Sequence, residues 1–147
     1  MKLNKKIVIV TISIILMIIV CKIVYNPITL INIHWNLKLP IPDKELYFYD
    51  SGASFFGDGY TYMVVKYTGK RKQKVILNNI NWNSTISADE LSEINKLVDE
   101  FEIDENHTFQ LNENNLYFHL IGDDKWSKIY LIYSVEDQKI YILEDII

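Results

Sequence analysis

A lysine-flanked apolar run near the N-terminus constrains this chain more than any other feature. Lys2, Lys5 and Lys6 precede Ile7 to Val20, a stretch broken only by Thr11 and Ser13. Continuing through Cys21, Lys22, Ile23, Val24 and Tyr25 gives nineteen residues. At about 1.5 Å per residue these make roughly 28 Å of helix, against a hydrocarbon thickness of ~30 Å. Twelve of the fourteen residues from Ile7 to Val20 are large and apolar, and they favour insertion by about 4–7 kcal/mol. Lys22 opposes insertion, but near the end of a span its ammonium reaches the headgroups. The sequence therefore predicts an uncleaved, single-pass signal anchor in the lipid bilayer over residues 7–25. The lysine bias places the N-terminus in the cytoplasm and the remainder outside the cell membrane.

Two other fates of this segment fit less well. A cleaved signal peptide needs small residues before the cut, and no A-x-A-like site occurs between Val20 and Trp35. An acylated cysteine needs a small residue before it, whereas Ile18, Ile19 and Val20 precede Cys21. Asn26-Pro27 should end or kink the helix, because the residue before proline is driven from α geometry. Residues 28–35 read equally as further helix or extended stem. Tyr25, His34 and Trp35 suit the membrane–water boundary. Pro40-Ile41-Pro42 reads as a stiff linker, which divides the chain into 1–25, a stem over 26–42, and an outer domain over 43–147.

That domain is acidic. Every Asp and Glu lies at or beyond Asp43, and beyond Lys22 eleven basic residues face nineteen acidic ones, a net −8. Such a charge repels phosphate backbones and argues against nucleic acid as a partner. Lysine in place of arginine, with abundant isoleucine and asparagine, points to an AT-rich bacterial genome. The single cysteine, Cys21, permits no intramolecular disulfide and no thiolate zinc site.

Residues 46–49 and 60–67 have strand composition, joined by the loop Asp50–Gly59 with its three glycines. Thr68 to Lys72 reads as a turn and Lys74 to Leu77 as a returning strand. Ile80 and Trp82 are expected packing anchors in an otherwise polar stretch. Ser87-Ala88-Asp89-Glu90 is a capping box, and Leu91, Ile94, Leu97, Val98 and Phe101 make one apolar helical stripe after it. Residues 116–121, 128–134 and 139–143 read as a strand meander. The expected fold class is α+β: a transmembrane helix, then an antiparallel sheet of five or six strands with one helix across one face. A single helix leaves the second sheet face bare. The ten tyrosines exceed the needs of one small core, which predicts tyrosines on that face.

Few residues carry a chemical signature. Asp50, Ser51 and Asp58 offer hard oxygen ligands, but their spacing matches no calcium loop. The simpler reading is a glycine-dependent connection plugged by Phe55 and Phe56. His34, His107 and His119 share no metal-binding spacing, and His119 reads as a hydrogen-bonded sheet histidine. No GxSxG elbow is present, and the paired carboxylates fall at turns. Lys70-Arg71-Lys72-x-Lys74 is the one basic cluster; it suits anionic headgroups or wall polymers, or a charged hairpin turn. No catalytic residue, metal site or cofactor is predicted. Exposed aromatics mark contact surfaces, so Tyr62, Tyr117 and Tyr130 are the expected partner-binding residues, with Asp50 and Asp58 as loop candidates.

The stretch Asp50-Ser51-Gly52…Phe56-Gly57-Asp58-Gly59…Tyr62, with Leu131-Ile132-Tyr133…Ile140-Tyr141-Ile142-Leu143-Glu144, resembles small membrane-anchored or secreted proteins of Gram-positive bacteria. These carry a DSxGxxFxGDG loop and have no assigned function. Ala53-Ser54-Phe55 departs from their usual glycine or histidine before the loop phenylalanine. The resemblance implies anchorage and fold only. The leading expectation is a non-enzymatic interaction module with a protein or envelope ligand. Alternatives are a metal-dependent binder or enzyme built on residues 50–58, a structural subunit of an envelope complex, and an immunity-type protein.

Overall fold

A computed structural model describes residues 5–52, 58–101, 103–110 and 114–147. The chain divides into two compact units, Met1–Leu37 and Lys38–Ile147, so Pro40-Ile41-Pro42 belongs to the second.

The first unit holds α1 (Lys5–Val24) and α2 (Pro27–His34). Asn26-Pro27 both ends α1 and starts α2. The Asn26 side chain accepts the Ile28 N–H at 3.0 Å, and Pro27 sits in the first turn, where its missing N–H is harmless. The stem is thus helical over eight residues. Among the described residues no single helix is long and apolar enough to cross a membrane. A pair bent by 59°, Val8–Lys22 with Pro27–His34, meets that requirement together in length and composition. The expected single straight span over residues 7–25 thus has no counterpart in one described helix, and Asn26-Pro27 bends the apolar stretch between α1 and α2. Around α1, Ile9, Ile12, Leu16 and Met17 are all more than half exposed. Tyr25 is exposed, whereas Trp35 is buried with its ring stacked on His34.

The second unit is α+β, with a five-stranded antiparallel sheet in the order β1-β2-β5-β4-β3. Its strands are β1 (Lys44–Asp50), β2 (Gly59–Lys66), β3 (Asn115–Ile121), β4 (Lys128–Ser134) and β5 (Lys139–Ile146). Alternation along each strand, in the observed register, sorts the side chains onto two faces. One face carries Tyr62, Leu143, Tyr130 and His119 in a row, and Val64, Tyr141, Ile132 and Tyr117 in the next. The helix α4 (Ala88–Glu100) covers it with Ile94 and Leu97, followed by Phe101 at its C-terminal end. Ser87 caps α4 as its sequence predicts: its hydroxyl accepts the Glu90 N–H at 3.2 Å and its own N–H donates to Glu90 Oε2 at 3.0 Å.

The second face is covered, contrary to expectation. Met63, Val65, Ile129, Leu131, Ile140 and Ile142 all lie on it with no more than a trace of exposure. Part of the cover comes from Trp82, whose ring packs on Phe118 and Tyr133 while its Nε1–H donates to Ile76 O at 3.1 Å. Ile76, fully buried, belongs to a helix the sequence reading missed. Residues 70–79 form α3, where a turn and a strand were expected. The segment KRKQKVILNN has lysine, arginine and glutamine at helical positions, which favour helix; three consecutive apolar residues invited the strand reading. Asn83 pairs with Tyr117 on the outer edge of β3, through bonds of 2.7 and 2.8 Å.

Candidate functional site

The expected contact tyrosines are not on the surface. Tyr62, Tyr117 and Tyr130 are all buried beneath α4. The Tyr62 hydroxyl donates to His107 O at 2.7 Å, and burial pushes its phenol far above the usual range. Sequence patterning placed these residues in the sheet but did not fix their face; the observed register sets all three on the side that α4 covers.

The loop candidates serve their own connection. Asp50 Oδ1 accepts the Gly52 N–H at 2.8 Å, and Ser51 Oγ accepts the Tyr60 N–H at 2.8 Å. Gly52 takes φ 73°, the left-handed conformation expected of a loop glycine. A Cβ on Gly59 would lie 2.9 Å from Gly52 O, so that position also requires glycine. Phe55 and Phe56 lie outside the described residues. Asp58 is half-buried and joins no cluster: among the described residues no three His, Cys, Asp or Glu are disposed to hold a metal ion.

A group of bonded titratable side chains lies between α4, β3 and β4. His119 Nδ1 stands 3.1 Å from Glu90 Oε1; the carboxylate accepts, which places the ring N–H on Nδ1. One turn along α4, Glu93 accepts from Lys128 Nζ and, at 2.7 Å, from the Tyr130 hydroxyl. The Ser87 hydroxyl, then its backbone N–H, hold the Glu90 carboxyl below its ordinary range. Burial pushes Glu93 up, but Lys128 and Tyr130 outweigh it and leave its carboxyl low. The adjoining cavity measures about 20 Å³ and is bounded by Asn83, Thr85, Ile86 and His119, room for about one water. Every carboxylate here has a protein donor. This group ties a helix to a sheet.

Beyond it, at the β3–β4 hairpin, the surface changes character. Ile121, Trp126 and Ile147 are 51%, 67% and 59% exposed. The turn that carries Trp126 is held by several hydrogen bonds. Asp124 Oδ1 accepts the N–H groups of Trp126 and Ser127, each at 2.8 Å, and Oδ2 accepts the Ser127 hydroxyl at 2.6 Å. Gly122 N–H closes the hairpin on Ser127 O at 2.8 Å. The Ile147 N–H donates to Ser127 Oγ at 3.2 Å, which brings the C-terminus alongside. Three exposed large apolar residues therefore lie at the same end of the sheet, near Asp123 and Asp124. In the sequence the signal for this surface is a tryptophan placed just after the turn residues Gly122, Asp123 and Asp124.

No family model, no curated protein and no solved structure matches this chain.

Proposed function

We propose that this protein is a membrane-tethered binding module whose contact surface is the hairpin tip formed by Ile121, Trp126 and Ile147. The observation that carries the reading is an exposed tryptophan on a turn already fixed by Asp124. Tryptophan anchors dominate protein–protein binding energy, and an anchor held in place beforehand loses little entropy on binding. Two exposed isoleucines beside it make an apolar patch of the kind that marks an interface. The acidic turn residues and the net charge of −8 select a protein partner with an apolar pocket rimmed by cations.

The tether rests on α1. A helix apolar on every side has no face to turn toward water, and α1 together with α2 has the length and composition of a bent span. Alkaline extraction tests it: the full-length protein should stay with the membrane pellet, and recovery in the supernatant would remove the tether. For the tip, a photo-crosslinking residue at Lys125 should yield one discrete adduct in cells. Trp126→Ser should abolish that adduct with no change in thermal unfolding. An undiminished adduct would overturn the assignment.

A further inference from the structure

The opposite end of the sheet from Trp126 is cationic, in a unit of net −8. Lys44, Lys66 and Lys139 stand side by side across β1, β2 and β5. Like charges placed directly opposite one another destabilise a sheet. Three residues after β2, α3 begins with Lys70, Arg71 and Lys72 and has no acidic residue in its first turn, where the helix dipole disfavours cations. Lys72 is held by Asp43. Lys70, Arg71 and Lys74 are exposed and form no ion pair among the described residues. Helical spacing places them on one stripe that ends at Leu77, itself 44% exposed. Glu136 and Asp137, in the β4–β5 turn, and Glu45 are too few to neutralise this end.

The stem joins the domain at this same end. Tyr67 OH donates to Pro40 O at 2.9 Å. Asp43 Oδ2 accepts the N–H groups of Thr68 and Gly69 at 2.8 and 3.1 Å. Asn79 Nδ2 reaches Lys38 O at 3.5 Å. Residues 38–43 are thus bonded along α3 from its first turn to its last, and β1 starts immediately after them. These residues open the second unit at its cationic end, and the Trp126 tip lies a full strand away, about 20 Å.

We propose that the stripe Lys70, Arg71, Lys74, supported by the lysine row at 44, 66 and 139, docks on anionic lipid headgroups beside the anchor. The docked domain holds the Trp126 tip away from the bilayer. The proposal rests on the tether reading. Charge complementarity names the occupant: each lysine or arginine near an anionic surface strengthens attachment several-fold.

The full-length protein is mixed with vesicles of phosphatidylcholine alone or with phosphatidylglycerol added, floated, and its lysines acylated and read by mass spectrometry. The expected result is flotation with both vesicles and about ten-fold slower acylation of Lys70 and Lys74 on the anionic ones. Lys125 should be unchanged, high salt should erase the difference, and Arg71→Glu/Lys74→Glu should restore Lys70 reactivity without loss of circular dichroism. Flotation with both vesicles and equal acylation would overturn lipid docking and leave the tether. Flotation only on anionic vesicles, lost in salt, would overturn the tether and keep the docking. Flotation with neither overturns both.

Discussion

His119 lies flat on Tyr130, ring centroids 4.5 Å apart and planes 12° from parallel, and each ring bonds a different glutamate of α4. His119 meets Glu90 and Tyr130 meets Glu93, so two neighbouring strands grip successive positions on one helix. Glu90 is also the residue that closes the capping box with Ser87. The start of α4 and its attachment to the sheet are therefore one bonded unit.

Ser87→Ala should cost about 1 kcal/mol of stability, the usual value of an N-cap, and should change the response to acid. The Ser87 hydroxyl is the largest influence holding the Glu90 carboxyl low, followed by the Ser87 backbone N–H. A carboxyl depressed in the fold stabilises it above the unfolded value and loses that contribution as pH falls through the folded value. Without the hydroxyl the folded value rises toward the unfolded one, so the variant starts with a smaller contribution from Glu90 and should lose less stability as pH falls. Urea unfolding at several pH values between neutral and about pH 3 checks it.

Tyr130→Phe removes a buried donor to a charged acceptor and should cost about 1.5–3 kcal/mol. Glu93 keeps Lys128 but loses the hydroxyl that helps offset burial, so its carboxyl should titrate higher. Truncation is more severe: Tyr62→Ser or Tyr130→Ser opens a cavity under α4 and should cost about 3–5 kcal/mol or more. Thermal melts separate the two classes. Serine variants at these buried positions report folding.

Asp43 ties the stem to α3, and Asp43→Asn should loosen that joint selectively. Its hydrogen bond with Lys72, then the backbone N–H of Gly69, bring its carboxyl down to about 2. Below the ordinary carboxylate range the bonded carboxyl contributes progressively less, and by about pH 2 it is half protonated. Protection of the Thr68 and Gly69 amides, taken relative to the intrinsic exchange rate at each pH, should fall in Asp43→Asn at neutral pH and fall no further on acidification. The unsubstituted chain should reach the same low protection only in strong acid.

Local signals carried much of this architecture. The Ser87–Glu90 box and the stripe Ile94, Leu97, Phe101 fix α4 because capping and 3.6-residue periodicity are properties of adjacent residues. The five strands follow from β-prone runs between turn residues. Residues 70–79 failed because Val75-Ile76-Leu77 fits a buried strand as well as a helix, and periodicity over so short a run does not decide. The covered second face was illegible for a longer-range reason. Trp82 reaches Tyr133 and Phe118 from far along the chain, and no local pattern announces a roof. The tyrosines failed for a separate reason: the register sets Tyr62, Tyr117 and Tyr130 on the face that α4 covers, and the exposed aromatic is Trp126 instead.

Asp145→Asn should stabilise the protein near neutral pH, which is unusual for a buried polar residue. Asp145 stands in register between Tyr60 and Lys128, is only 8% exposed, and has one oxygen, Oδ1, without a donor among the described residues. Burial raises its carboxyl; Lys128 pulls the other way, and Glu93 and Glu100 push it further up. A carboxyl raised by the fold is a charge the fold disfavours, so stability is lowered above the folded value and recovers as pH falls toward the unfolded one. Asparagine keeps the shape and removes the charge. Its unfolding midpoint should exceed that of the unsubstituted chain by a few degrees at neutral pH, and the two should converge in acid. A lower midpoint at neutral pH would mean that attraction to Lys128 outweighs burial, and the cationic row neighbour would then be the reason this aspartate is tolerated.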